Sequence, residues 1–191
     1  MLSVSVFGKK PMNSIFLPDR PYAVRFNCQA GQLALSEDEF LGKEAEISII
    51  ACRHWYGSLG KTQNTEWLQL FFIPAPSCKF LPRNTVCVSY IKTRSLSQFH
   101  QLITRLLAED TNPAEGIFKV SFLSHTNSEG QPYKSVKFEW RERQTPEEIA
   151  QLEQIAEFLA GKPVLQDLDA TRNMVPFSEY SEHAKLATAT N

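Results

Sequence analysis

The chain has 191 residues, 42% of them hydrophobic and 21% charged, with 20 Lys and Arg against 21 Asp and Glu. That is enough for one good core and a small extension. A formal net charge of −1 names no partner in bulk, no apolar run approaches the roughly 20 residues of a membrane span, and four cysteines without C-x-x-C spacing exclude a disulfide-dense scaffold.

The opening MLSVSVFGKKPMNSIF has no long apolar stretch, so no signal peptide is expected. Residues 2–7 (LSVSVF) and 22–26 (YAVRF) alternate and predict short strands, separated by a breaker-rich loop. Ser36-Glu37-Asp38-Glu39 has capping-box spacing, which predicts one helical turn before Gly42. Three β-rich runs follow: 45–56 (AEISIIACRHWY), 66–73 (EWLQLFFI) and 85–92 (TVCVSYIK). The period then changes. Leu96, Phe99, Leu102, Ile103, Leu106 and Leu107 line one helical face, with Ser95 and Gln98 spaced as a capping box at its start. Residues 117–124 (IFKVSFLS) and 133–141 (YKSVKFEWR) predict a hairpin joined by HTNSEGQP. Thr145, Pro146 and Glu148 supply an N-cap, a Pro at N1 and a Glu at N3 for a second helix. Its expected apolar stripe is Ile149, Leu152, Ile155, Ala156 and Leu159, with Gly161 at its end. No sustained period follows, so 164–191 is expected to be a flexible tail that orders on a partner.

Gly60-Lys61-Thr62 ends like a phosphate-binding loop. The required glycine five places earlier is Trp55, and TQNTEWLQLFF, which follows, reads as turn and strand rather than helix. The triplet is therefore expected to join two antiparallel strands.

The order strand-strand-strand-helix-strand-strand over 45–141 resembles an OB-fold. The expected fold class is mainly β with two helices: an OB-fold-like five-stranded Greek-key barrel. Extra N-terminal strands occupy 1–44 and a C-terminal helix 145–160, all in one domain over 1–163. The resemblance implies a ligand face on the second and third strands, flanked by the loops 57–64 and 125–132, and oligonucleotides or oligosaccharides as its class of ligand.

Single strands need cations along a groove and rings on which bases stack. Trp67, Gln69 and Phe71 share one strand face, and Tyr90 and Lys92 share another, with Arg94 beyond. Lys61 lies in the first loop; Lys119, Tyr133, Lys134 and Lys137 line the later hairpin. Between Ala51 and Arg141, eleven Lys and Arg stand against six acids, an excess of five positive charges inside a chain of −1. The expected stacking residues are Trp67, Phe71, Tyr90 and Tyr133. Lys61, Lys92, Arg94, Lys119, Lys134 and Lys137 are expected to meet phosphates.

The chain is similar at this point to bacterial single-stranded-DNA-binding proteins, divergent plasmid or phage types included. That family has an acidic tail ending in Pro-Phe that docks partner enzymes. DLDATRNMVPF places Asp167, Asp169, Pro176 and Phe177 in a comparable run, with fourteen residues after it. The resemblance implies non-enzymatic binding of single-stranded DNA, or RNA, in replication, recombination or repair. It also implies a protein partner at the 164–191 tail. The second helix would pack on the barrel or mediate self-association, and the N-terminal strands would extend the sheet or make a dimer edge. A protein–protein adaptor and an oligosaccharide module are the rival readings; neither needs the cations.

His54, His100, His125 and His183 are scattered, with His100 on the solvent side of its helix, and no metal site is expected. No G-x-S-x-G, no Cys/His pairing and no clustered carboxylates point to catalysis, so neither an enzyme nor a cofactor is expected. The thiols are expected to be reduced, mostly buried, and cytoplasmic.

Overall fold

A computed structural model describes residues 14–182. In chain order its strands and helices are β1 (Tyr22–Ala23), β2 (Arg25–Asn27), β3 (Gln32–Ala34), β4 (Phe40–Gly42), β5 (Ala45–Leu59), β6 (Thr62–Pro74), β7 (Cys87–Lys92) and α1 (Thr93–Ala108). After a 3-10 turn at Pro113–Glu115 come β8 (Ile117–Thr126), β9 (Pro132–Arg141), α2 (Pro146–Ala160), α3 (Leu168–Thr171) and β10 (Met174–Pro176). The strand expected at 2–7 lies outside the described residues.

The fold is mainly β. One mixed sheet runs β1-β7-β6-β5-β8-β9, with β10 added to β5; a second, three-stranded sheet runs β2-β3-β4. Only β1 with β7 pairs in parallel among its named strands. The run 22–26 is split, because Tyr22–Ala23 joins β7 and Arg25–Asn27 joins β3. Ser36 Oγ accepts from the Glu39 N–H as a cap would, yet the chain continues into β4 rather than a helical turn.

The expected closed barrel is not formed among the described residues, since no strand pairing joins β9 to β7 or β1. Helix α1 stands in the gap. Ser95 Oγ accepts from the Val136 N–H at 2.9 Å, and Ser135 Oγ donates to Gln98 Oε1 at 3.0 Å. The two residues with capping-box spacing thus bind β9, and α1 has no side-chain cap. A helix hydroxyl satisfies an edge amide that a closing strand would otherwise take.

Strand β6 is covered on both faces. Leu68, Leu70 and Phe72 meet Leu96, Phe99, Leu102 and Leu106 of α1, together with Phe118, Val136 and Phe138. On the other face Phe71 and Ile73 join Val86, Val88, Ile155 and Leu165. The near-continuous apolar run of this strand is what two-sided burial requires.

The second cover is α2, and polar anchors hold it. Thr145 Oγ1 accepts from the Glu148 N–H while Glu148 Oε2 accepts from the Thr145 N–H, the expected capping box. Arg141 bridges Glu148 at 2.7 Å and Glu46 at 2.8 Å. Gln151 Nε2 donates to the Pro74 carbonyl and to Asn84 Oδ1. These anchors turn the helix so that Glu148, Gln151 and Ile155 are buried and Ile149, expected inside, is exposed. The left-handed residue after it is Lys162 (φ 50°), not Gly161. Two helices were expected; the 3-10 turn and α3 make four among the described residues.

Beyond α2 the chain stays on the sheet. Leu165 is buried, α3 follows, and β10 pairs antiparallel with residues 55–57 of β5. Within the segment expected to be a flexible tail, Leu165 and Met174 are thus buried and Met174–Pro176 is strand, while Val164, Leu168 and Val175 are exposed. No described helix is long and apolar enough to cross a membrane.

Candidate functional site

Strands β5 and β6 run through the expected 57–64 loop. Gly57 faces Thr65 and Leu59 faces Thr62, which leaves Gly60-Lys61 as a two-residue turn with Gly60 at φ 59°. Strand on both sides of Gly60-Lys61-Thr62 removes the helix N-terminus that a phosphate loop needs.

One face of this hairpin carries Trp55, Trp67, Gln69 and Phe71, as alternation predicts. Much of it is closed. Phe71 is fully buried beneath α2, and Trp67 is 6% exposed with its Nε1 donating to the Gly57 carbonyl. Gln69 is buried in a relay: Trp55 Nε1 donates to its Oε1, its Nε2 donates to the Tyr90 hydroxyl, and Tyr90 donates to Asp167. Burial first, then the Asp167 charge, raise the Tyr90 phenol far above its ordinary value.

At the rim of this face, two cation–ring contacts flank Thr93 along the chain. Lys92 lies opposite Trp67, with its ammonium 5.1 Å from the ring centroid, and donates to Thr62 Oγ1. Thr93 turns the chain through a left-handed φ of 49° into α1. Arg94, exposed at the helix start, donates to the Tyr133 hydroxyl at 2.8 Å. Tyr133 is 38% exposed and lies 5.0 Å from the His125 ring, which holds Ser135 Oγ at 2.7 Å. Lys134 donates to the Ala30 carbonyl. Among the described residues no carboxylate pairs with Lys92, Arg94 or Lys134.

The other expected cations are engaged. Lys119 pairs with Glu44 at 2.9 Å and Lys137 with Glu139 at 2.8 Å, while Lys61, at the exposed turn, is 3.9 Å from Glu37. The structure thus pairs Lys92 with Trp67 and Arg94 with Tyr133, while Phe71 is buried under α2 and Lys119 and Lys137 are held by carboxylates.

The opposite face of the hairpin gathers His54, His100 and Phe177, which the sequence shows only as scattered histidines and a partner-docking run. His54 lies 2.6 Å from Glu66, and its ring meets His100 of α1 edge-on at 5.6 Å. Phe177 stacks on His54, with centroids 4.5 Å apart and planes inclined by 26°. Tyr180 stacks on Tyr56 at 3.6 Å and 9°. His54 and Tyr56 stand two apart in a strand, the available signal for a shared face; nothing local announces Phe177 and Tyr180 as their partners.

Against the expectation of mostly buried thiols, Cys87 alone of the four is buried; Cys28 and Cys78 are half-buried and Cys52 is exposed. No group of three His, Cys, Asp or Glu among the described residues could hold a metal ion. No protein-family model, curated protein or solved structure matches the chain.

Proposed function

We propose that the chain binds single-stranded nucleic acid, DNA in the first instance, without catalysis and with little sequence preference. The observation that carries this reading is the pair of cation–ring contacts Lys92–Trp67 and Arg94–Tyr133, whose cations no carboxylate among the described residues neutralises. Lys92 and Arg94 would meet successive phosphates, and the exposed ring of Tyr133 would take a base. Lys134 would extend the track.

Topology supports the same reading. In the order β8-β5-β6-β7 the fourth strand of the run returns to lie beside the first, the Greek-key arrangement. Together with α1 between the third and fourth strands, it favours an OB-like barrel left open at β7 and β9. The ligand edges of such a barrel are where the β5–β6 turn and the β8–β9 hairpin stand. The chain would then serve replication, recombination or repair by holding unpaired strands.

The test is fluorescence anisotropy with a labelled oligo-dT of about 30 nucleotides, long enough for more than one site of this kind. Affinity should fall steeply with salt, and Lys92→Ala and Arg94→Ala should each weaken it and lower the salt slope by about 1. No binding at low salt, or binding indifferent to salt, sinks the proposal. An oligo-rU probe then ranks RNA against DNA.

A further inference from the structure

We infer that Tyr56 and His54 form a second stacking site for unpaired bases, filled in this structure by the chain's own Tyr180 and Phe177. The inference rests on the nucleic-acid reading above and adds both a site and its regulation. Two free aromatic side chains favour offset or edge-on packing with centroids about 4.5–7 Å apart. Tyr180 instead lies face to face on Tyr56, at 3.6 Å and 9°. That is the spacing and tilt of a base on a ring, and every base offers such a face. Phe177 stacks less closely on the neighbouring His54, at 4.5 Å and 26°, and a groove bounded by Arg53, His54, Trp55, Pro176 and Phe177 opens beside it.

What holds the two rings there is slight. Strand β10 contributes three residues to the edge of β5, with Met174 buried and Val175 45% exposed. Before it, Leu168 is 66% exposed and α3 is four residues long. Short elements with little buried apolar surface open at low free-energy cost. Through release of β10 the aromatic pair would leave as a unit, exposing both rings of the platform. Oligonucleotide and C-terminal segment would then exclude each other at this site.

The experiment compares the full chain with a Phe177→Ala/Tyr180→Ala variant, using the same labelled oligo-dT. The variant should bind roughly tenfold tighter, the factor expected when the binding-competent fraction rises from about a tenth to nearly one. Adding Tyr56→Ala to it should remove that gain. In the unaltered chain, oligo-dT should speed hydrogen exchange at the amides of Val175 and Phe177, a readout independent of whether the variant folds. If the full chain binds but exchange at these amides is unchanged or slower, the inference is overturned and the first reading stands. If neither chain binds at any salt, both readings fall together.

Discussion

The Tyr90 hydroxyl donates to the Asp167 carboxylate across 2.9 Å, joining the third strand of the main run to the segment beyond α2. The same hydroxyl accepts from Gln69, which is completely buried and reaches no other acceptor through its Nε2 among the described contacts. Tyr90→Phe would keep the ring and strand that amide donor. It should cost about 1–3 kcal/mol of stability, the usual penalty for an unsatisfied buried polar group. Urea unfolding of Tyr90→Phe, Asp167→Ala and the double variant should show non-additivity; strict additivity would mean the two groups do not interact.

A second prediction concerns acid. Hydrogen bonds from Arg141 hold the Glu148 carboxyl down at about 2, against an ordinary 4.5, and hold Glu46 below its usual range. Both carboxyls are depressed in the folded state. Their contribution is therefore present above about pH 4.5 and is lost as pH falls through the window down to about 2. Stability measured by urea unfolding should decline across that window. Glu148→Gln should flatten the decline and cost about 1.5–3 kcal/mol at pH 7, as expected for hydrogen bonds to a charged partner.

How far the sequence discloses this arrangement depends on the reach of each interaction. Thr145 and Glu148 cap α2 within one turn, so their spacing alone announces the helix. The alternation of Trp67, Gln69 and Phe71 announces a strand with two distinct faces, and the structure agrees. Which face is open was not legible. The cover over Phe71 comes from Ile155 and Leu165, more than eighty residues later, and it is positioned by Arg141 and Gln151. Ser95 and Gln98 show how local spacing misleads, because both satisfy β9 instead of their own helix. Residues 174–176 have no period to read, since three residues become strand only against an existing edge.

At the rim, the ring of Tyr133 and its hydroxyl have separable roles. The hydroxyl positions Arg94, and the exposed ring is the proposed base platform. Tyr133→Phe should leave oligo-dT affinity within a few-fold of the unaltered chain, whereas Tyr133→Ala should lose about 1–3 kcal/mol, the worth of one stacked base. Equal losses in both variants would show that Tyr133 acts only through Arg94.

Gly57 offers a way to release the C-terminal segment without touching either ring. Its φ is +153°, and a Cβ there would lie 2.4 Å from the Asn173 carbonyl oxygen and 2.8 Å from Met174 Cα. Both are backbone atoms of the segment that pairs with β5, so no side-chain rotation relieves the contact. Gly57→Ala should expel β10, accelerating hydrogen exchange at Val175 and Phe177 even without ligand. Tyr56 and His54 keep their side chains, so oligo-dT affinity should rise as it does when Phe177 and Tyr180 are removed. Faster exchange without that gain would show that the segment leaves but the rings beneath it take no base. Unchanged exchange would mean that the sheet edge yields to the new methyl and β10 stays in place.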